Sequence, residues 1–395
     1  MLHVTIGHSD AIDLEDALEE IFAQTRAADA RGAVGAAIVL SSMGYDRDAV
    51  LGAVSDRYPG IEVVGGTSNG TFSNRGYMED GILVAFLGGT GVDFRVATAV
   101  GMRASVGDCG RAVVAALLAG SERAPAAIIV FADPLAGDMD RMIYAMNQAL
   151  GDDPPPVYGG TTTDEWHFDT TYQFDGRRSF TDGVVALALY GDVTTRCGVQ
   201  SGWIPVGQRM VITNATGPIV STIDHRPAVD VFKEQFGDIV TTGMVEHPMA
   251  IFPDPANDAD FYLRTVLLVN EREGSITAAG RVPEGAVVRL TTASAEGVLS
   301  GAAASTRDAL AASPDPVDFL FVVSCAARQT VLGAHAPRER ETIAAQLAAQ
   351  GLGDVPFIGF YSYGEIGAPG LAAARFHNET CIAVAIGHAD ATRRG

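Results

Sequence analysis

Basic residues are scarce. Of 395 residues only 27 are Lys or Arg, against 48 Asp or Glu, a formal net charge of −21. Such a surface repels phosphate backbones and lacks the basic stripe that nucleic acids and anionic membranes require, so both are excluded as partners. Long hydrophobic runs are missing too: the longest, such as 126–132 and 184–190, fall far short of the roughly 20 residues needed to cross a bilayer. The opening MLHVTIGHSD has neither a basic n-region nor an apolar h-region, so a cytoplasmic location is expected. Cysteine is sparse: Cys109, Cys197, Cys325 and Cys381 form no ligand-spaced pair and read as reduced thiols. The eight histidines are scattered with no metal-binding spacing, and there is no P-loop or ordered dinucleotide fingerprint.

What is present is a folded core and a repeat. At 47% apolar content the chain has enough hydrophobic material for a large globular core. One pattern recurs three times. AAIVLSS from Ala36, AAIIVFADP from Ala126 and DFLFVVSCAAR from Asp318 are continuous apolar runs, the signature of strands covered on both faces. Apolar residues at helical spacing follow each: Val50, Leu51 and Val54; Met139, Met142, Ile143 and Met146; Ile343 and Leu347. A second strand then ends in a small-residue turn, in IEVVGGTSNG, PPVYGGTTTDEW and VPFIGFYSYGE, and a closing strand completes each copy. Between the second and third copies, alternating runs at 199–213 and 261–292 predict an antiparallel sheet, 226–236 a helix and the proline-rich HPMAIFPDPAND a loop. The expected fold is α/β (α+β): two domains, 1–197 and 198–395, built from repeated strand-helix-strand-strand units with mixed sheets.

Loops at the carboxyl ends of strands are where such sheets bind ligands. Thr67 and Ser68 in the first glycine turn and Thr161 in the second are the hydroxyls a ligand would meet there. Gly66-Thr67-Ser68-Asn69-Gly70 satisfies G-x-S-x-G, so a serine hydrolase using Ser68 is an alternative, although no helix pattern follows as a nucleophile elbow requires. The third unit gathers the strongest polar set. Cys325 and Arg328 leave its first strand, and Tyr363 and Glu365 leave its second. Arg328 would clamp a ligand carboxylate and Glu365 an ammonium group; the competing reading is an Arg328–Glu365 salt bridge. A single axial histidine holds haem without any sequence spacing, which makes His167 and His377, both beside aromatics, the candidates for that cofactor.

The sequence resembles the FIST proteins, a family of sensory proteins with an N-terminal and a C-terminal FIST domain. The likeness rests on SCAARQTVLG at Ser324, IGFYSYGEIG at Ile358 and FHNET at Phe376, with SGWIPVGQRMVIT, RPAVDVFKEQFG and VPEGAVVRL before them and both glycine turns in the N-terminal half. Arg328, Tyr363, Glu365 and His377 fall on matching family positions. The aromatic DEWHF after the second turn is bulkier than the family pattern, and Asn69-Gly70-Thr71 stands where an acidic residue is common. The resemblance implies ligand sensing rather than catalysis. The ligand would be an amino acid or a similar small molecule, with a haem-based nitric oxide sensor as the alternative, and the output would go to a separate histidine kinase or cyclic-di-GMP protein.

Overall fold

A computed structural model describes residues 1–28, 33–121, 123–237, 244–311, 315–369 and 373–389. Each of the three repeats is a unit of one design. In unit I an edge strand (Leu2–Ser9), a first strand (Val34–Ser41), a glycine strand (Glu62–Thr67) and a closing strand (Ile82–Gly89) form a sheet. Unit II repeats this with Val92–Val100, Ala127–Ala132, Val157–Thr161 and Gly183–Gly191. Unit III does so with Val193–Gln200, Val317–Cys325, Phe357–Ser362 and Cys381–His388. First and glycine strands are parallel in every unit and joined through helices; the other pairings are antiparallel, which makes the sheets mixed.

The continuous apolar runs are two-faced strands. In unit I, Ala36, Ile38 and Leu40 join the large central core between the sheets, while Ala37 and Val39 pack outward under the helices Leu14–Gln24 and Arg47–Arg57. In unit III, Phe319, Phe321 and Val323 point to that same core and Leu320 and Val322 to the helices outside. The period-two alternation of side chains therefore buries both faces.

Between its glycine and closing strands each unit carries a small hairpin, and none lies on its own sheet. The unit II hairpin (Gln173–Asp175 and Arg178–Phe180) extends the glycine strand of unit I, pairing Phe174 with Gly65. The unit III hairpin (Glu365–Gly367 and Arg375–His377) extends that of unit II, pairing Ile366 with Gly159. The unit I hairpin (Thr71–Ser73 and Gly76–Met78) closes the ring on unit III, pairing Phe72 with Gly359. Glycine is required where these strands cross closely: a Cβ on Gly359 would stand 2.1 Å from the Phe72 ring, and Gly159 has φ +138° with Val130 O 2.0 Å from where its Cβ would be.

The middle segment interrupts unit III between its edge strand and the helix Ala295–Ala311. It forms an antiparallel sheet that curls on itself, because the stretch from Tyr262–Arg264 to Val266–Asn270 begins at one edge and ends at the other, bending at Thr265. Helix Ala228–Phe236 packs on this barrel through Val229 and Phe232. The loop expected at 247–258 instead contains a strand, Met249–Phe252, because four consecutive buried residues pair with Val287–Thr292. Among the described residues no helix is long and apolar enough to cross a membrane.

Candidate functional site

The carboxyl ends of the parallel strands in units II and III meet the barrel around a cavity of about 70 Å³. Unit II supplies Pro134 and Leu135 after its first strand, and Trp166 and Phe168 after its glycine strand. The barrel contributes Thr265 at its bend and Leu267; unit III contributes Cys325, Ser362, Tyr363 and Phe376. No charged side chain is among the described residues of this wall.

The DEWHF loop forms the outer wall in a strained conformation. Glu165, Trp166 and Phe168 all have positive φ, at 56°, 67° and 52°, a region costly for residues with a Cβ and held only when the surroundings fix it. Asp164 does the fixing: its carboxylate accepts from the amides of Phe168, Asp169 and Thr170 at 2.7–3.0 Å, and from the Tyr363 hydroxyl at 2.9 Å. The Tyr363 oxygen in turn accepts the Trp166 amide at 2.6 Å. Its ring stacks on Phe168 with centroids 4.8 Å apart. Burial and the adjoining Asp164 carboxylate push the Tyr363 hydroxyl well above the usual tyrosine range. A loop of unit II is thus latched to a side chain of unit III at the mouth of the cavity.

Behind the inner wall lie two buried carboxyls. Glu365 accepts from Ser362 Oγ at 2.9 Å and from the Thr380 amide and hydroxyl at 3.1 and 2.8 Å. Burial raises it to about 7 despite these bonds. Glu379 accepts from Thr265 Oγ1 at 2.6 Å, while its other oxygen has no hydrogen-bond partner among the described residues. Burial and the nearby Glu365 charge push Glu379 well above the carboxylate range. Neighbouring Asn378, 1% exposed, leaves both amide atoms unpartnered. Buried unpaired polar atoms are rare in folded proteins.

Arg328 and Glu365 do not meet as the sequence suggests. Arg328 lies in the helix Ala326–Leu332 and is fully buried. Its guanidinium bonds Glu339 at 2.7 and 2.9 Å, Ser324 Oγ at 3.1 Å, Val298 O at 2.7 Å and Ser201 O. Tyr361 and Ser324 donate to the same Glu339. These bonds hold the guanidinium inside unit III, off the cavity wall, so the carboxylate clamp and the Arg328–Glu365 bridge are both replaced by an Arg328–Glu339 pair.

The glycine-turn hydroxyls sit in the seams between units. Thr67 Oγ1 donates to Thr163 O at 2.6 Å and Ser68 Oγ to Gly70 O and Tyr361 O at 2.7 and 3.1 Å. The Thr161 amide bonds Gly364 O at 2.9 Å. After Ser68 the chain enters the unit I hairpin rather than a helix, so the strand-to-helix elbow of a serine hydrolase is not formed. Cys325 is on the wall, yet burial raises its thiol well above the usual value, which keeps it protonated and a poor nucleophile. All four cysteines are buried and unbridged.

The residues present do not fit a haem. His167 is exposed, its Nδ1 2.7 Å from Asp164 O. His377 has a buried Nε2 without a partner, and burial lowers its ring to about 4. Neither histidine lines the cavity. Among the described residues no group of three or more His, Cys, Asp or Glu is placed to hold a metal ion.

Comparison with known proteins decides the family. The FIST N domain matches residues 35–226 and the FIST C domain residues 228–368. The chain belongs to the FIST family. FIST domains are sensory domains of signal transduction that bind small ligands. Uncharacterized proteins from two Mycobacterium tuberculosis strains, CDC 1551 / Oshkosh and ATCC 25618 / H37Rv, are each 23% identical over 383 residues, covering 93% of this FIST chain and 95% of their own. Among solved structures, a cyanuric acid hydrolase (TM-score 0.35, 98% of this chain and 100% of that one), another from A. caulinodans (0.36, 99% and 100%) and a chorismatase (0.34, 98% and 98%) are each 11% identical. Likeness at this level carries no functional argument.

Sequence reasoning missed Thr265, Ser362 and Glu379 as parts of the site. Glu379 stood in the FHNET motif, and Trp166 and Phe168 in the bulky DEWHF segment. Thr265 had no sequence signal, since only the curl of the barrel brings it there.

Proposed function

We propose that this FIST protein senses a small organic ligand held in the cavity beneath Trp166 and Phe168, and relays its presence to a separate signalling protein such as a histidine kinase or a cyclic-di-GMP enzyme. The observation that carries this reading is that one cavity is walled by unit II, unit III and the barrel together. An occupant touches all three, so if it binds one arrangement of them better it shifts the population toward that arrangement. The strained Glu165–Phe168 loop, latched through Asp164 and Tyr363, is the element placed to move. Binding without catalysis suits a wall whose thiol is protonated and whose hydroxyls are already bonded.

Amino acids are the first ligand class to screen, by thermal shift on the full chain. A hit should stabilise the protein and slow hydrogen exchange in residues 164–170 and 262–268. Phe168→Ala should remove the response, and Tyr363→Phe should keep binding but loosen the loop. A hit that leaves exchange in both segments unchanged would place the ligand elsewhere and defeat the reading.

A further inference from the structure

The hydroxyls of the cavity wall share one property. Ser362 Oγ spends its hydrogen on Glu365, Thr265 Oγ1 spends its hydrogen on Glu379, and the Tyr363 hydroxyl spends its hydrogen on Asp164. Each hydroxyl on the wall therefore offers an occupant only lone pairs. The rest of the wall is largely apolar, with the rings of Trp166, Phe168, Tyr363 and Phe376.

Two buried carboxyls stand behind the wall, and the Arg264 guanidinium lies at its Phe376 edge, donating to Phe376 O at 3.3 Å. Glu365 and Glu379 stand one side chain back from the cavity, and neither is bonded to a cation in the hydrogen bonds described above. The two buried arginines are spent elsewhere, Arg328 on Glu339 and Arg264 on Asp140 at 2.9 and 3.0 Å. Glu379 keeps one buried oxygen unpartnered. Burial favours the neutral form of both carboxyls while no cation faces them, and a cation in the cavity would favour their ionised forms, since the low dielectric does little to screen the attraction.

Taking the cavity as the ligand site proposed above, we infer that its occupant is a small organic cation, a primary alkylammonium group that donates N–H bonds to the wall hydroxyls and lies against the aromatic rings. Ring faces attract such a cation, and more so when it is desolvated. The α-carboxylate of a zwitterionic amino acid would find no charged partner among the described residues of the wall and would face the two carboxyls behind it. The inference replaces the amino-acid expectation with ligands whose polar end is the amine alone.

The test uses the full chain and four probes of similar size: propylammonium, alanine, propionate and 1-propanol, with sodium chloride as the ionic-strength control, followed by calorimetric titration. Saturable binding of propylammonium at least tenfold tighter than of the other three is expected. Glu379→Gln should weaken it at least tenfold without lowering the melting temperature. Glu365→Gln, which retains an acceptor for Thr380, should weaken it too and serves if the first variant does not fold. Alanine or propionate binding as tightly as propylammonium would overturn the charge assignment and leave the cavity reading standing. Unchanged propylammonium binding in the glutamine variants would also overturn it. If none of the four binds, both the assignment and the cavity reading fall.

Discussion

At Arg328 the side chain and its five N–H groups are enclosed by Glu339, Ser324 and two carbonyls, with no exposure of either charged partner. Removing one member of such a pair strands the other in a dry interior, at about 3–5 kcal/mol. Arg328→Ala is therefore expected to lower the denaturation midpoint steeply, with any loss of ligand response following from the loss of fold; a variant of native stability that had lost its response would restore the clamp. Glu365 behaves in the opposite sense. Its carboxyl titrates near 7 in the fold against 4.5 when unperturbed, so the native state holds a proton that the unfolded chain has given up. Stability from this group is full at low pH, falls as pH rises from about 4.5 through about 7, and is then flat. The total is roughly 3 kcal/mol. Glu365→Gln cannot ionise and should flatten that slope in urea titrations between pH 4.5 and 8; an unchanged slope would mean the proton sits elsewhere.

At the scale of elements, the crossing of Gly359 over Phe72 shows how little space the exchanged hairpins leave. Gly359→Ala puts a methyl group into the Phe72 ring and should cost about 1–3 kcal/mol through overpacking. Faster amide exchange in the hairpin at 71–78 would locate the damage, and exchange that rose only within 357–362 would refute the pairing as the cause. The first, glycine and closing strands were legible in the sequence because both of their faces are buried: runs such as AAIIVFA carry no polar interruption, whereas the half-exposed edge strands were not read. The Met249–Phe252 strand was hidden by its flanking prolines, which read as loop although four buried residues lie between them. The hairpins were hidden for a different reason. TFSNRGYM is too short and too polar to read as a strand pair, and it pairs with a segment nearly 290 residues away. The site was legible to the same extent. Strand order brought Tyr363 and Cys325 to the wall of the candidate site and Glu365 behind it, whereas the Arg328–Glu365 bridge did not form, because a strand-end position does not reveal which partner a helix turn will supply.

At the scale of the molecule, three sheets each take their outer two strands from another unit. A chain cut to residues 1–197 would carry the unit I hairpin without Phe357–Ser362 to lie on, and the Val157–Thr161 strand without its Glu365–Gly367 partner. Such a fragment is expected to stay incompletely folded, with fast exchange at 71–78 and 157–161, until 198–395 is co-expressed. A fragment that alone showed native protection at both places would disprove that dependence. The exchange also displaces injury from its address. A lesion at Phe72 is felt in the sheet of unit III, one at Phe174 in that of unit I, and one at Ile366 in that of unit II. A map of damaging substitutions drawn along the chain would point, each time, one unit away from the sheet that fails.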